Sequence, residues 1–164
     1  MAGILSAVAV ATALCVSQTA SALADPSGEA VLRLADAREM ADRAEQTATE
    51  MKLNVSVVIV NREGRVFLSH RMDNSSFLNL SLAETKAATA TAAAIGAPTS
   101  LLEQAVDAGK PSLLSVPGAA MVGGGVPIMR ADKIVGGIGI SGGSAQDDEK
   151  IAKSASGSGP TAPR

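Results

Sequence analysis

The chain has 164 residues, a length that suits one domain, and its 14 basic and 16 acidic residues leave a formal net charge of −2. It has no Trp or Tyr and only two Phe, Phe67 and Phe77. It therefore lacks both the basic stripe and the aromatic platforms that nucleic-acid binding needs. A core of Ala, Val, Ile, Leu and Met buries little area per residue, which makes a homo-oligomer the expectation.

In chain order, Ile4–Val16 is apolar and small, and too short to span a bilayer. Ala22-Leu23-Ala24 follows as a small-x-small cleavage pattern before Asp25. Residues 1–24 read as an export signal, although no Lys or Arg precedes Arg33; the alternative is a buried apolar helix. Cys15, the single cysteine, lies inside this segment. Cleavage would leave an exported chain with no disulfide, thiolate nucleophile or Cys-ligated metal. Residues 25–155 form the domain and 156–164 a disordered tail.

Small or apolar residues at Ala30, Leu34, Ala37, Ala41, Ala44, Ala48 and Met51 step by four and three, which predicts an amphipathic helix. Arg38, Asp42, Arg43 and Glu45 take its other face. Residues 54–60 and 65–72 predict a hairpin closed by Asn61-Arg62-Glu63-Gly64. Ser81 and Glu84 match a capping box for an Ala-rich helix ending at Gly96, and Ser100 and Glu103 match one for a short helix ending near Gly109. Residues 112–116 predict a strand stopped by Pro117-Gly118. Residues 126–130 and 133–140 predict a second hairpin turning at Ala131-Asp132, and Ser144 caps a last helix. Short turns between strand pairs imply antiparallel pairing, hence an α+β domain.

The glycine-dense run from Gly123 to Gly143 suggests a binding or assembly surface rather than a catalytic group. Within it, Gly137-x-Gly139-x-x-Gly142 has the spacing of a dinucleotide-binding loop. It lacks the βαβ unit and the downstream acidic residue that such a loop requires. A sheet-end turn packed on another backbone explains it better. No P-loop and no C-x-x-C-H occur, so phosphate cradling by that motif and covalent haem are excluded.

His70 is the lone histidine and shares a strand face with Val66, Leu68 and Met72. It is either a packing residue or an axial ligand to haem iron. One His cannot build a zinc site. Arg71 is either a surface ion-pair partner of Asp73 or a fork for a carboxylate such as a haem propionate. Lys86, among Ala and Thr, is either solvated or reaching for an anion. Asp147-Asp148-Glu149 suits a helix N-terminus, with weak binding of a hard cation as the alternative. Met72, Met121 and Met129 are core fillers by default and sulfur ligands by alternative. No residue is singled out as catalytic.

The ordered pieces LADAREMADRAEQTA, VSVVIVNREGRVFLSHRMD, LAETKAATATAAAIGAPT, LLSVPG, GGGVPI and VGGIGISGGSAQDDEKIA resemble the GlcG/HbpS-like haem-binding family, related to the C-terminal domain of PduO-type proteins. The resemblance covers about Leu34 to Ala155. It implies a profilin-like fold with a central antiparallel sheet of about five strands, flanked by helices. It also implies assembly into dimers or rings, and in exported members a haem-binding or redox-sensing role. The family's first turn usually begins with Asp where this chain has Asn61. The expectation is an exported, oligomeric protein that binds haem non-covalently and without turnover. In it His70 is the iron ligand, and Arg71 and Lys86 meet the propionates. The rival expectations are an enzyme acting on haem or a small organic acid, and a structural or sensory module with a protein partner. Neither nucleic acid nor a membrane span in the exported chain is expected.

Overall fold

The computed structural model describes residues 31–92 and 95–157. Its elements are α1 (Leu34–Glu50), β1 (Ser56–Asn61), β2 (Val66–Arg71), α2 (Phe77–Thr91), α3 (Ser100–Asp107), β3 (Gly125–Arg130), β4 (Lys133–Ser141) and α4 (Ala145–Ser156). The four strands form one antiparallel sheet in the order β2-β1-β4-β3. The fold is α+β, as expected, but the sheet has four strands rather than about five. The expected strand at 112–116 is instead a 3-10 turn, Pro111–Ser115. Pro111 at its first position has the fixed φ and missing N–H that suit a helical start. The export segment and most of the tail lie outside the described residues, and Ser156 closes α4.

Alternation along β1 assigns its two faces. Val57 and Ile59 join Val126, Ile128, Ile138 and Ile140 beneath α1 and α4. Val58 and Val60 pack with Ala83 and Ala87 of α2 on the opposite face. The predicted stripe holds in its middle: Ala37, Ala41, Ala44 and Ala48 are all buried, and small side chains let α1 lie close to its neighbours, whereas Leu34 is exposed, Met51 is half-buried and Ala30 lies outside the described residues.

The glycine spacing of β4 is explained by α2. A Cβ at Gly139 would collide with the Ala83 carbonyl, and one at Gly137 would lie 2.5 Å from the Ala87 carbonyl. The backbone of α2 therefore rests directly on β4, a contact that only glycine permits. The backbone packing expected for the glycine pattern is present, but Gly137 and Gly139 make it from inside β4 rather than from a sheet-end turn.

Local signals are right at some ends and wrong at others. Ser144 Oγ accepts the Asp147 N–H and caps α4 as predicted. Ala131 and Asp132 both take positive φ, 46° and 62°, and make the two-residue turn of the β3–β4 hairpin. By contrast, α2 begins at Phe77, and Ser76 caps it by accepting the Asn79 N–H at 3.2 Å. Ser81 lies inside that helix and donates back to the Phe77 carbonyl. Ser100 is not a cap either. Thr99 precedes α3, and its hydroxyl accepts the Gly125 N–H, while Glu103 accepts the Gly123 N–H at 2.8 Å. Both side chains bond across the fold rather than within the helix end.

Candidate functional site: the His70–Glu45 pair

Strand β2 is an edge strand, so one of its sides has no strand neighbour within the sheet. His70 lies opposite Val57 in the β1–β2 register, which puts it on the face covered by α1. Leu68 and Met72, two residues away on either side, share that face and pack against the main core. The ring thus has aliphatic shoulders.

From α1, Glu45 reaches the ring: His70 Nδ1 and Glu45 Oε1 are 2.8 Å apart, with both side chains 35% exposed. An ionised carboxylate only accepts hydrogen bonds, so Nδ1 is the nitrogen that donates, and in the neutral imidazole the lone pair is on Nε2. That lone pair is the one by which an imidazole binds a metal or accepts a proton. Sequence reasoning singles out His70 but misses Glu45. It places Glu45 on the polar face of α1 with no named partner, and the contact spans 25 residues.

Arg71, the next residue, points to the other face. Its guanidinium donates to the Ser75 carbonyl and sits 4.6 Å from the centre of the Phe77 ring. It braces the turn from β2 into α2.

Lys86 neither reaches solvent nor approaches His70. Its Nζ donates to Asp148 Oδ2 at 2.8 Å and to the Ile140 carbonyl at 3.0 Å, and both side chains are almost fully buried. Of the two sequence readings, the anion it reaches for is this carboxylate. The three expected site residues therefore occupy three separate environments and do not form one site.

The acidic run at α4 is also committed to structure. Asp147 accepts from the Ser144 hydroxyl, Asp148 holds Lys86 and the Gly143 N–H, and Glu149 pairs with Lys153. Among the described residues no group of three or more His, Cys, Asp or Glu is arranged to hold a metal ion. Asn61 closes the β1–β2 turn through its amide oxygen, which accepts from the Glu63 and Arg65 N–H groups. That role needs an acceptor and no charge.

A cavity of about 590 Å³ lies between α1, α3 and α4, with Thr47, Glu103, Asp107, Glu149 and Lys150 in its walls. A smaller one of about 300 Å³ beside the β1–β2 turn is walled by Val31, Leu32, Phe67 and Val135. His70 lines neither of these cavities.

Residues 32–156 match the family described as haem degrading protein HbpS-like. The chain belongs to the HbpS-like family. A 15.0 kDa protein of the dhaT-dhaS intergenic region of Citrobacter freundii is 30% identical over 130 residues, covering 77% of this chain and 90% of that protein. The crystal structure of HbpS superposes with a TM-score of 0.73 at 32% identity, covering 79% of this chain and 91% of that one. The crystal structure of a PduOC–heme complex superposes with a TM-score of 0.70 at 30% identity, covering 78% and 94%. The HbpS-like membership and these neighbours bear out the family expected from the ordered motifs.

Proposed function

We propose that this protein binds haem non-covalently at the sheet edge, with His70 Nε2 as the iron ligand and without turnover of its own. The observation that carries this reading is the His70–Glu45 contact: it occupies Nδ1 and leaves Nε2 of the one histidine as the nitrogen open to a ligand, at a partly exposed position. A carboxylate behind a ligating histidine is the usual second partner of metal-bound imidazole. The Leu68 and Met72 shoulders suit an apolar ring system. The heme complex of a neighbour that is 30% identical supports the same ligand class.

Bound haem would supply a one-electron iron centre; the residues described here bind and orient it. For the propionates we assign Arg38. It lies two turns before Glu45 on the same helical stripe and is exposed, whereas Arg71 is on the opposite face and Lys86 is enclosed with Asp148. Export directed by residues 1–24 and assembly into a homo-oligomer complete the reading. The latter is supported by Phe77 and Leu78, each about three-quarters exposed.

The test is a visible absorption titration of the full chain with haemin, beside His70→Ala. A saturable Soret shift that is lost or displaced in the variant is expected. An identical shift in both proteins removes His70 as ligand, and no saturable shift in either removes haem.

The same pair favours one second reading. An imidazole whose Nδ1 is held by a carboxylate is a competent general base, so an enzyme acting on haem or on a small organic acid is its rival. Product formation that disappears in His70→Ala would support it.

A further inference from the structure

We propose that Glu45 is the positioning residue of the iron site. It fixes the direction of the His70 ring and biases that ring toward ferric over ferrous iron. This rests on the haem reading above and adds the element that controls it.

The carboxylate is presented by a rigid base. Ala44 and Ala48, on either side of Glu45 in α1, are fully buried in the main core. Arg43 donates from both Nε and Nη2 to the Ala155 carbonyl, at 3.1 and 2.7 Å, and so fastens α1 to the end of α4. Glu45 therefore arises from a helix held independently of β2. The ring is restrained from two directions: through its own strand, where Val57 is its cross-strand neighbour, and through Nδ1 from α1. A ring held only by its strand could rotate about its side-chain bonds, or shift its proton to Nε2 and lose the donor lone pair. The Glu45 contact opposes both changes. Its negative charge, passed through the imidazole, also makes Nε2 a stronger donor, and this favours the more positive oxidation state of iron.

Glu45→Gln and Glu45→Ala separate these effects. The Gln side chain can still accept from Nδ1 but carries no charge, and Ala does neither. Haemin and reduced haem would be titrated into the full-length parent, both variants and His70→Ala, with the midpoint potential read by spectroelectrochemistry. In the haem-free proteins the imidazole ¹⁵N shifts report the tautomer, and His70 is the only histidine contributing to them.

Glu45→Ala should weaken haemin binding by about 10–100-fold and populate the Nε2–H tautomer. Glu45→Gln should keep the parent tautomer, lose about tenfold of ferric preference and raise the midpoint by about 59 mV for a one-electron couple. Parent-like affinities, potential and tautomer in both Glu45 variants, with haem binding lost in His70→Ala, would overturn the role of Glu45 and leave the haem reading standing. Unchanged haem binding in His70→Ala would overturn both.

Discussion

Lys86 and Asp148 join the two faces of the sheet. Lys86 belongs to α2 on one side and Asp148 to α4 on the other, and they meet 2.8 Å apart with both side chains buried. The glycines of the β3 approach make room for this crossing: a Cβ at Gly124 would sit 2.8 Å from the Lys86 Nζ, from the Ile140 carbonyl and from the Asp148 Cβ. Gly124, one member of the glycine cluster, opens the passage for this ion pair.

Breaking one half of such a pair leaves a buried charge without its partner. Lys86→Met or Asp148→Asn alone is expected to cost about 3–5 kcal/mol. The double variant should recover a large part of that loss, because the neutral amide introduced by Asp148→Asn still accepts the Gly143 N–H. Urea denaturation of the four proteins gives the coupling directly. Strictly additive losses would show that the two side chains act independently.

Gly139→Ala should destabilise the fold by at least about 1–3 kcal/mol, since the new methyl group meets the Ala83 carbonyl and α2 must lift off β4. The denaturation midpoint measures it. A parent-like midpoint would be incompatible with the backbone contact described.

The β3–β4 turn offers a gain. Ala131 and Asp132 occupy left-handed conformations that favour Asn-Gly. Ala131→Asn with Asp132→Gly is expected to add about 0.5–1 kcal/mol by removing backbone strain. A lower melting temperature would count against this turn geometry.

Among the described residues, Asp36 carries the acid-sensitive contribution that follows from a shifted carboxyl group. The hydrogen bond from Arg33, 3.0 Å from its carboxylate, lowers the Asp36 pKa below the ordinary value of 3.8. A carboxyl whose folded pKa lies below its unfolded value stabilises the fold above the unfolded value. It loses that contribution as pH falls through the folded one. The pair is solvent-facing, so the effect is small. Stability measured from neutral pH to below 3.8 should fall slightly less steeply in Asp36→Asn than in the parent. A steeper fall in the variant would reverse the sign.

Arg38→Gln should weaken haemin binding by about 0.2–1 kcal/mol, as for an exposed ion pair. That corresponds to at most about fivefold in Kd. Soret titration measures it; a parent-like Kd would remove Arg38 from the propionate role.

What was legible in the sequence is what short-range chemistry decides. The turns at Asn61–Gly64 and Ala131–Asp132, the Ser144 cap and the alanine stripe of α1 each depend on residues within a few positions of one another. The capping pattern at Ser81 and Glu84 misled because Ser76, one turn earlier, precedes Phe77 and Leu78, whose exposed side chains hid the helix start. The run at 112–116 is apolar enough for a strand, but Pro111 starts it as a 3-10 turn. The partners of the candidate site were out of reach. Glu45 and His70 are 25 residues apart, and Lys86 and Asp148 are 62 apart, so neither pairing leaves a local trace.

The glycine track under α2 makes the two sides of the sheet mechanically unequal. Where helix backbone touches strand backbone there is no cushion of side chains to compress or repack, so α2 has no room to approach β4 more closely. On the other side, methyl and longer branches of Val, Ile and Met separate α1 and α4 from the strands, and those can change rotamer. Side-chain rotamer exchange should therefore be concentrated in the thicker layer, while the backbone of α1, fastened to α4 through Arg43, stays in place. Methyl relaxation should find the Val and Ile side chains of that layer more mobile than the alanines of α2.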